Sequence, residues 1–170
     1  MKLQKQTGFT IVELLIVIVV IGILAAISIV AYNGIQNRTN DAAVRSDLRN
    51  FGMKMQEYMV DNGRPVPLGV STSPTTGEML DTLNIKVNQN AYGAHYAVGS
   101  GYNFIYCQNG QNFAIVAGSK SGNVFAYRST SGLVDNGAPL KTYTDTCADQ
   151  GVPSFGTWGF SNGSWSAWTQ

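Results

Sequence analysis

The run from Phe9 to Ala31 constrains this chain more than any other feature. Only Thr10, Glu13, Gly22 and Ser28 interrupt an otherwise apolar stretch. As a helix it measures about 35 Å at 1.5 Å per residue, enough to cross a hydrocarbon core of about 30 Å. Lys2 and Lys5 precede it, so the positive-inside bias keeps the N-terminus in the cytoplasm and sends the rest outward. Glu13 is the anomaly. An ionised carboxylate inside a membrane helix costs about 2.5–3.5 kcal/mol on insertion scales and is a functional suspect by default.

A cleaved secretory signal, with Ala26-Ile27-Ser28 as its cutting site, is the competing reading. The apolar run exceeds the 7–15 residues of such a segment, and the helical pattern continues past the cut. Val44, Leu48, Phe51, Met55 and Tyr58 alternate spacings of four and three, which makes one apolar stripe. Asp41, Arg45, Asp47, Arg49 and Lys54 fall mostly off it. Asn62-Gly63 followed by Pro65 supplies a stop. One continuous helix is therefore expected from about Phe9 to Asn62, oily all round in its first half and one-sided in its second.

Beyond it, residues 64–93 carry Pro65, Pro67 and Pro74 and read as a connecting loop, with a short helical turn over Glu78–Leu83. Four strand-like runs follow: Ala94–Val98, Tyr102–Cys107, Phe113–Ala117 and Val124–Arg128. Short turn-forming stretches separate them, so the fold class is α+β, the helix packed on an antiparallel sheet of about four strands. From Ser129 the chain reads as loop-rich and ends in Trp158, Phe160, Trp165 and Trp168. These aromatics are expected to close the core of the sheet; a surface-binding patch is the alternative.

The composition excludes several classes. A net charge of +1 argues against a dedicated nucleic-acid binder. Cys107 and Cys147 form no C-x-x-C pair and have no histidine partners nearby, so a single disulfide in an oxidising compartment is expected, with two buried free thiols as the alternative. His95 is the single histidine and has no adjacent nucleophile or acid. Gly99-Ser100-Gly101 precedes a strand, unlike a phosphate loop. Asn37-Arg38-Thr39 and Asn162-Gly163-Ser164 match the glycosylation triplet, which arises readily in such a composition. No cofactor, metal site or catalytic constellation is legible, and no enzyme is expected.

Gly8-Phe9-Thr10-Ile11-Val12-Glu13, with basic residues before it and the apolar run after it, resembles the N-terminal motif of type IV pilins and related pseudopilins. A long N-terminal helix laid against an antiparallel sheet is similar to that family as well. The resemblance implies a leader of residues 1–8, removed after Gly8 by a prepilin peptidase, and N-methylation of the new N-terminus at Phe9. It implies that Phe9 and Glu13 serve subunit assembly, the acid pairing with the terminal amine of a neighbouring copy. Loss of Lys2 and Lys5 would take the formal side-chain charge from +1 to −1, leaving nine basic residues against ten acidic.

The implied layout is a helix over 9–63 (membrane or filament core 9–31, amphipathic 32–62), a connecting loop over 64–93, and the sheet with a disulfide-bounded C-terminal region over 94–170. Many family members carry a proline where this chain has Val30, which leaves Gly22 and Gly34 as the helix's weak points. The implied life history is a single-pass membrane protein that becomes an extracellular homopolymeric pilus. An assembly platform protein and a separate ATPase motor would be its partners, since no G-x-x-x-x-G-K-[ST] loop is present. Between a pilus subunit and a type II secretion pseudopilin, the sizeable C-terminal domain and the cysteine pair favour the pilus subunit. A minor or adhesive pilin, binding surfaces or binding DNA for uptake, is the other alternative.

Overall fold

A computed structural model of the chain describes residues 9–67, 82–93, 103–137, 139–153 and 156–158. Helix α1 spans Ile11–Asn62 without interruption. The expected stripe is its buried face: Val44, Leu48 and Met55 are fully buried, Phe51 nearly so, and Tyr58 packs partly against them. The stop works as its residues require. Gly63 takes φ +69°, and its N–H donates to the Met59 carbonyl at 2.8 Å, the left-handed helix terminus that glycine permits. The Asn62 side-chain amide covers the Tyr58 carbonyl at 2.9 Å.

Strands β1 (Phe104–Asn109), β2 (Asn112–Gly118), β3 (Val124–Arg128), β4 (Gly132–Asp135) and β5 (Gly156–Trp158) form one sheet in the order β4-β3-β2-β1-β5. Every pairing is antiparallel. The first four make a meander, and β5 returns to the other edge of β1. Pairing of Asn109 with Asn112 leaves Gly110-Gln111 as a two-residue turn, with Gly110 at φ +58°.

Alternation along the strands sorts side chains into two cores. Phe104, Tyr106, Phe113, Ile115, Ala117, Phe125 and Tyr127 face the α1 stripe. Phe51 sits 5.8 Å from the ring of Phe104 and 6.3 Å from that of Tyr106, within the range of favourable tilted aromatic contacts. Ile105, Cys107, Ala114, Val116, Val124 and Ala126 face the opposite side, where Leu140, Cys147 and Val152 cover them. Helix α2 (Tyr143–Asp149) carries Cys147 there. It begins at Thr142, whose hydroxyl accepts from the Asp145 N–H at 3.2 Å and donates to the Asp145 carboxylate at 2.7 Å. Cys107 and Cys147 form the disulfide, closing a 40-residue separation, with both residues fully buried. Closing such a loop constrains the unfolded chain by roughly 3–4 kcal/mol.

Several expectations need revision. The segment after Ser129, read as loop, contains β4, α2 and β5. The run read as Tyr102–Cys107 is a strand over Phe104–Asn109. The strand expected over Ala94–Val98, most of the turn over Glu78–Leu83 and the aromatic tail beyond Trp158 lie outside the described residues, as do His95, Gly99-Ser100-Gly101 and Asn162-Gly163-Ser164.

Charged groups flanking the stripe tie α1 to three separate pieces of the domain. Asp41 accepts from Ser121 Oγ and, at 2.8 Å, from Asn123 Nδ2, both in the β2–β3 turn. Asp47 accepts the Asn88 N–H at 3.0 Å and the Tyr92 hydroxyl at 2.9 Å. Arg45 meets Asp135 on β4 at 2.8 Å and lies 4.5 Å over the Phe125 ring. The ion pair is exposed and contributes little by itself; its value is in fixing which side of the helix meets the sheet edge.

The two acids titrate in opposite directions. Burial raises the Asp41 carboxyl, but hydrogen bonds from Ser121, Ser119 and Asn123, with the Arg45 charge, outweigh it and hold Asp41 below its ordinary value. Burial dominates at Asp47 and raises it despite the bonds from Asn88 and Tyr92. A depressed folded-state pKa means that Asp41 stabilises fully above its ordinary value of 3.8, and that this contribution is lost as pH falls through the lower folded value. The stability difference between wild type and Asp41→Asn, from denaturant unfolding across pH, should hold at neutral pH and shrink below about pH 4. A difference that does not change with pH would contradict this assignment.

Gly52 permits the closest approach of helix to sheet. A Cβ there would lie 2.1 Å from Tyr127 Cζ, and that ring is stacked on Phe113 with centroids 6.1 Å apart. Alanine in a helix is ordinarily better than glycine by about 1 kcal/mol. Gly52→Ala should instead destabilise by about 1–3 kcal/mol, because a packed ring has to shift. Gly34→Ala, where a Cβ meets nothing within 4 Å, should show no such loss in the same denaturation series.

Candidate functional site

Among the described residues, the large apolar side chains of α1 up to Ile35 are all about half exposed or more: Ile11 85%, Val20 48%, Val30 74%. Monomeric soluble proteins rarely expose a contiguous apolar surface of this extent, and such surfaces mark membrane or protein contacts. By length and composition the helix can cross a membrane. It continues unbroken through Gly22 and Gly34, where nothing packs close to either glycine. The Ser28 hydroxyl is satisfied within the helix, donating to the Leu24 carbonyl at 2.8 Å.

The polar group on this surface that stands apart is at its start. Thr10 precedes the first helical residue, and its N–H and hydroxyl donate to Glu13 Oε2 at 2.8 and 2.7 Å. The Glu13 N–H returns a bond to Thr10 Oγ1 at 3.2 Å. The pair closes a reciprocal cap over the first turn, meeting donors that a helix N-terminus otherwise leaves without partners. Phe9 lies just outside the helix with 89% of its surface exposed. Gly8 and the residues before it are outside the described residues. Phe9 and Glu13 are therefore brought to one helix end, while the cysteines lie in the separate core behind the sheet.

Thr10 is the residue that the motif reading overlooked. Its signal was present: Thr10-Ile11-Val12-Glu13 has the threonine and glutamate three apart that mark a capping box ahead of an apolar run.

Several other polar groups are engaged within the domain. A cleft of about 290 Å³ beside Arg45, Phe125 and Asp135 contains an arginine already paired with its acid. Burial pushes the phenols of Tyr92 and Tyr106 upward, and both hydroxyls are committed as donors, to Asp47 and to the Val66 carbonyl at 2.7 Å. No cluster of three or more His, Cys, Asp or Glu able to hold a metal occurs among the described residues. Asn37 and Thr39 lie on α1.

The model of the prokaryotic N-terminal methylation motif matches residues 3–29. Type II secretion system core protein G of Vibrio cholerae serotype O1 is 31% identical over 85 residues, which cover 50% of this chain and 53% of that protein. Fimbrial protein Q of Moraxella bovis is 31% identical over 106 residues, covering 58% of this chain and 67% of that protein. The type IV wide pilus major component of Thermus thermophilus is 44% identical over 61 residues, or 35% of this chain and 46% of that protein. The chain spans about half the length of the secretion-system relatives it matches.

Proposed function

Since the chain belongs to the prepilin-type family, which holds type IV pilins and type II secretion pseudopilins, we propose that it is a type IV pilus subunit. Cleavage after Gly8 releases residues 1–8, Phe9 becomes the N-terminus and is N-methylated, and α1 of many copies bundles into the fibre core. One observation carries the reading: a helix bare on every side up to Ile35 has a carboxylate in its first turn, beside Phe9. A lone membrane anchor can use that acid to cap its first turn, but leaves its charge without a counter-charge. A bundle of identical helices supplies one, because a neighbour's amine can neutralise the acid in only one register, and stranding such a charge costs about 3–5 kcal/mol.

Bundling replaces lipid by apolar side chains of like character, which offsets the cost of leaving the membrane subunit by subunit. Removing Lys2 and Lys5 with the leader also removes the charges that would hold the helix at the cytoplasmic face. Extraction still requires work from a separate ATPase acting through a platform protein. The disulfide-closed second core gives the outward-facing domain a constraint suited to an oxidising exterior. A type II secretion pseudopilin is the second reading, supported by the likeness to the core G proteins; fibres confined to the envelope, with none beyond the cell surface, would favour it.

Subunits sheared from cells should have an intact mass that begins at Phe9 and carries one added methyl group. A subunit that begins at Met1, or one cut near Ser28, contradicts the proposal. Glu13→Gln should still be processed, yet give fibres at a level lower by roughly a hundredfold or more, consistent with the loss of a buried charge pair. Normal fibre yield from that variant would remove the pairing role.

A further inference from the structure

Resting on the membrane-spanning reading above, we infer that Tyr32 and Gln36 form a phospholipid-headgroup site that sets how deep α1 sits in the bilayer before assembly. Residues 14–31 carry no charge, and Ser28, the polar residue among them, returns its hydroxyl to the Leu24 carbonyl. Tyr32 ends that stretch, about 28 Å along the axis from Glu13, which matches a hydrocarbon core of about 30 Å. It is 61% exposed, so its ring finds little cover on the helix itself. Gln36, one turn on, donates from Nε2 to the Tyr32 hydroxyl oxygen at 2.8 Å.

The direction of that bond decides what the pair can hold. A phenol has one hydrogen to give and accepts on its oxygen. Gln36 fills the accepting side, and among the described residues no acceptor takes the hydrogen, so the O–H is presented as a donor. Phospholipids offer it oxygen acceptors at the base of the headgroup. Deeper in the hydrocarbon, that O–H and the second Gln36 N–H would lose water and gain no partner. Further out, the ring would leave lipid for water. The interface satisfies ring and hydroxyl together, the reason tyrosines collect there. Ile35, 63% exposed and about 4–5 Å further along, would draw the helix deeper, and the pair opposes that pull. Arg38, exposed and the first charge after Glu13, lies two residues beyond Gln36 and suits a phosphate.

The full chain in phospholipid bicelles tests this by paramagnetic relaxation from two spin-labelled lipids, one labelled on the headgroup and one at mid-chain. The headgroup label should broaden the Tyr32 ring resonances more than the mid-chain label does, with the reverse order at the Val20 methyls. Tyr32→Phe keeps the ring and removes the hydroxyl. It should move the bilayer boundary along the helix by about 4–5 Å, so that Ile35 gains broadening from the mid-chain label. Gln36→Leu should shift the boundary the same way. A Tyr32 ring broadened chiefly by the mid-chain label, or a boundary that Tyr32→Phe leaves in place, overturns the inference; Val20 broadened at mid-chain then leaves the membrane-spanning reading standing. Val20 methyls untouched by the mid-chain label would overturn both.

Discussion

An uncovered apolar helix is the constraint on which everything else depends. Among the described residues the large apolar side chains of α1 up to Ile35 are about half exposed or more, so this surface calls for lipid or other copies around it. Lipid satisfies the apolar side chains but leaves the carboxylate of Glu13 without a counter-charge. In the proposed assembly, copies of the same helix satisfy both. The single acid near the start of the run thus carries more information than the apolar residues after it, which would be equally at home in any membrane span.

The second half of the same helix solves a different problem. Its stripe is buried by the sheet, and the sheet is in turn covered on its other face by residues 140–152, which the disulfide ties to β1. Hydrophobic packing alone would tolerate small slides of helix on sheet. Asp41, Arg45 and Asp47 each reach a different piece of the domain, and Gly52 admits the Tyr127 ring at one point only. Together they specify one docking position, a role polar contacts serve even where their net stabilisation is modest.

Legibility in the sequence followed the strength of the local signal. The long helix, its stop at Gly63 and its buried stripe were readable because period and capping chemistry agree over many residues. Three strands were readable from runs of Val, Ile, Phe and Tyr. The short elements β4, α2 and β5 were not: Gly132–Asp135 is four residues in a Gly-rich setting, and α2 is seven residues whose cap is its main signal. What made them form was tertiary, since β4 and β5 complete sheet edges and α2 is held by Cys147. The cysteine pairing was legible by elimination, but its role in building a second core was not, because nothing local indicates which face a distant segment will cover. At the helix start, Glu13 stood out and Thr10 did not, although the spacing of the two encodes the cap.

A high-resolution reconstruction of the native fibre tests the central claim most directly. Identical α1 helices are expected at the core, each Glu13 lying within about 4 Å of the Phe9 nitrogen of another subunit, the distance of an ion pair. A fibre in which Glu13 faces no amine, or in which the apolar half of α1 lies outside the core, would contradict it.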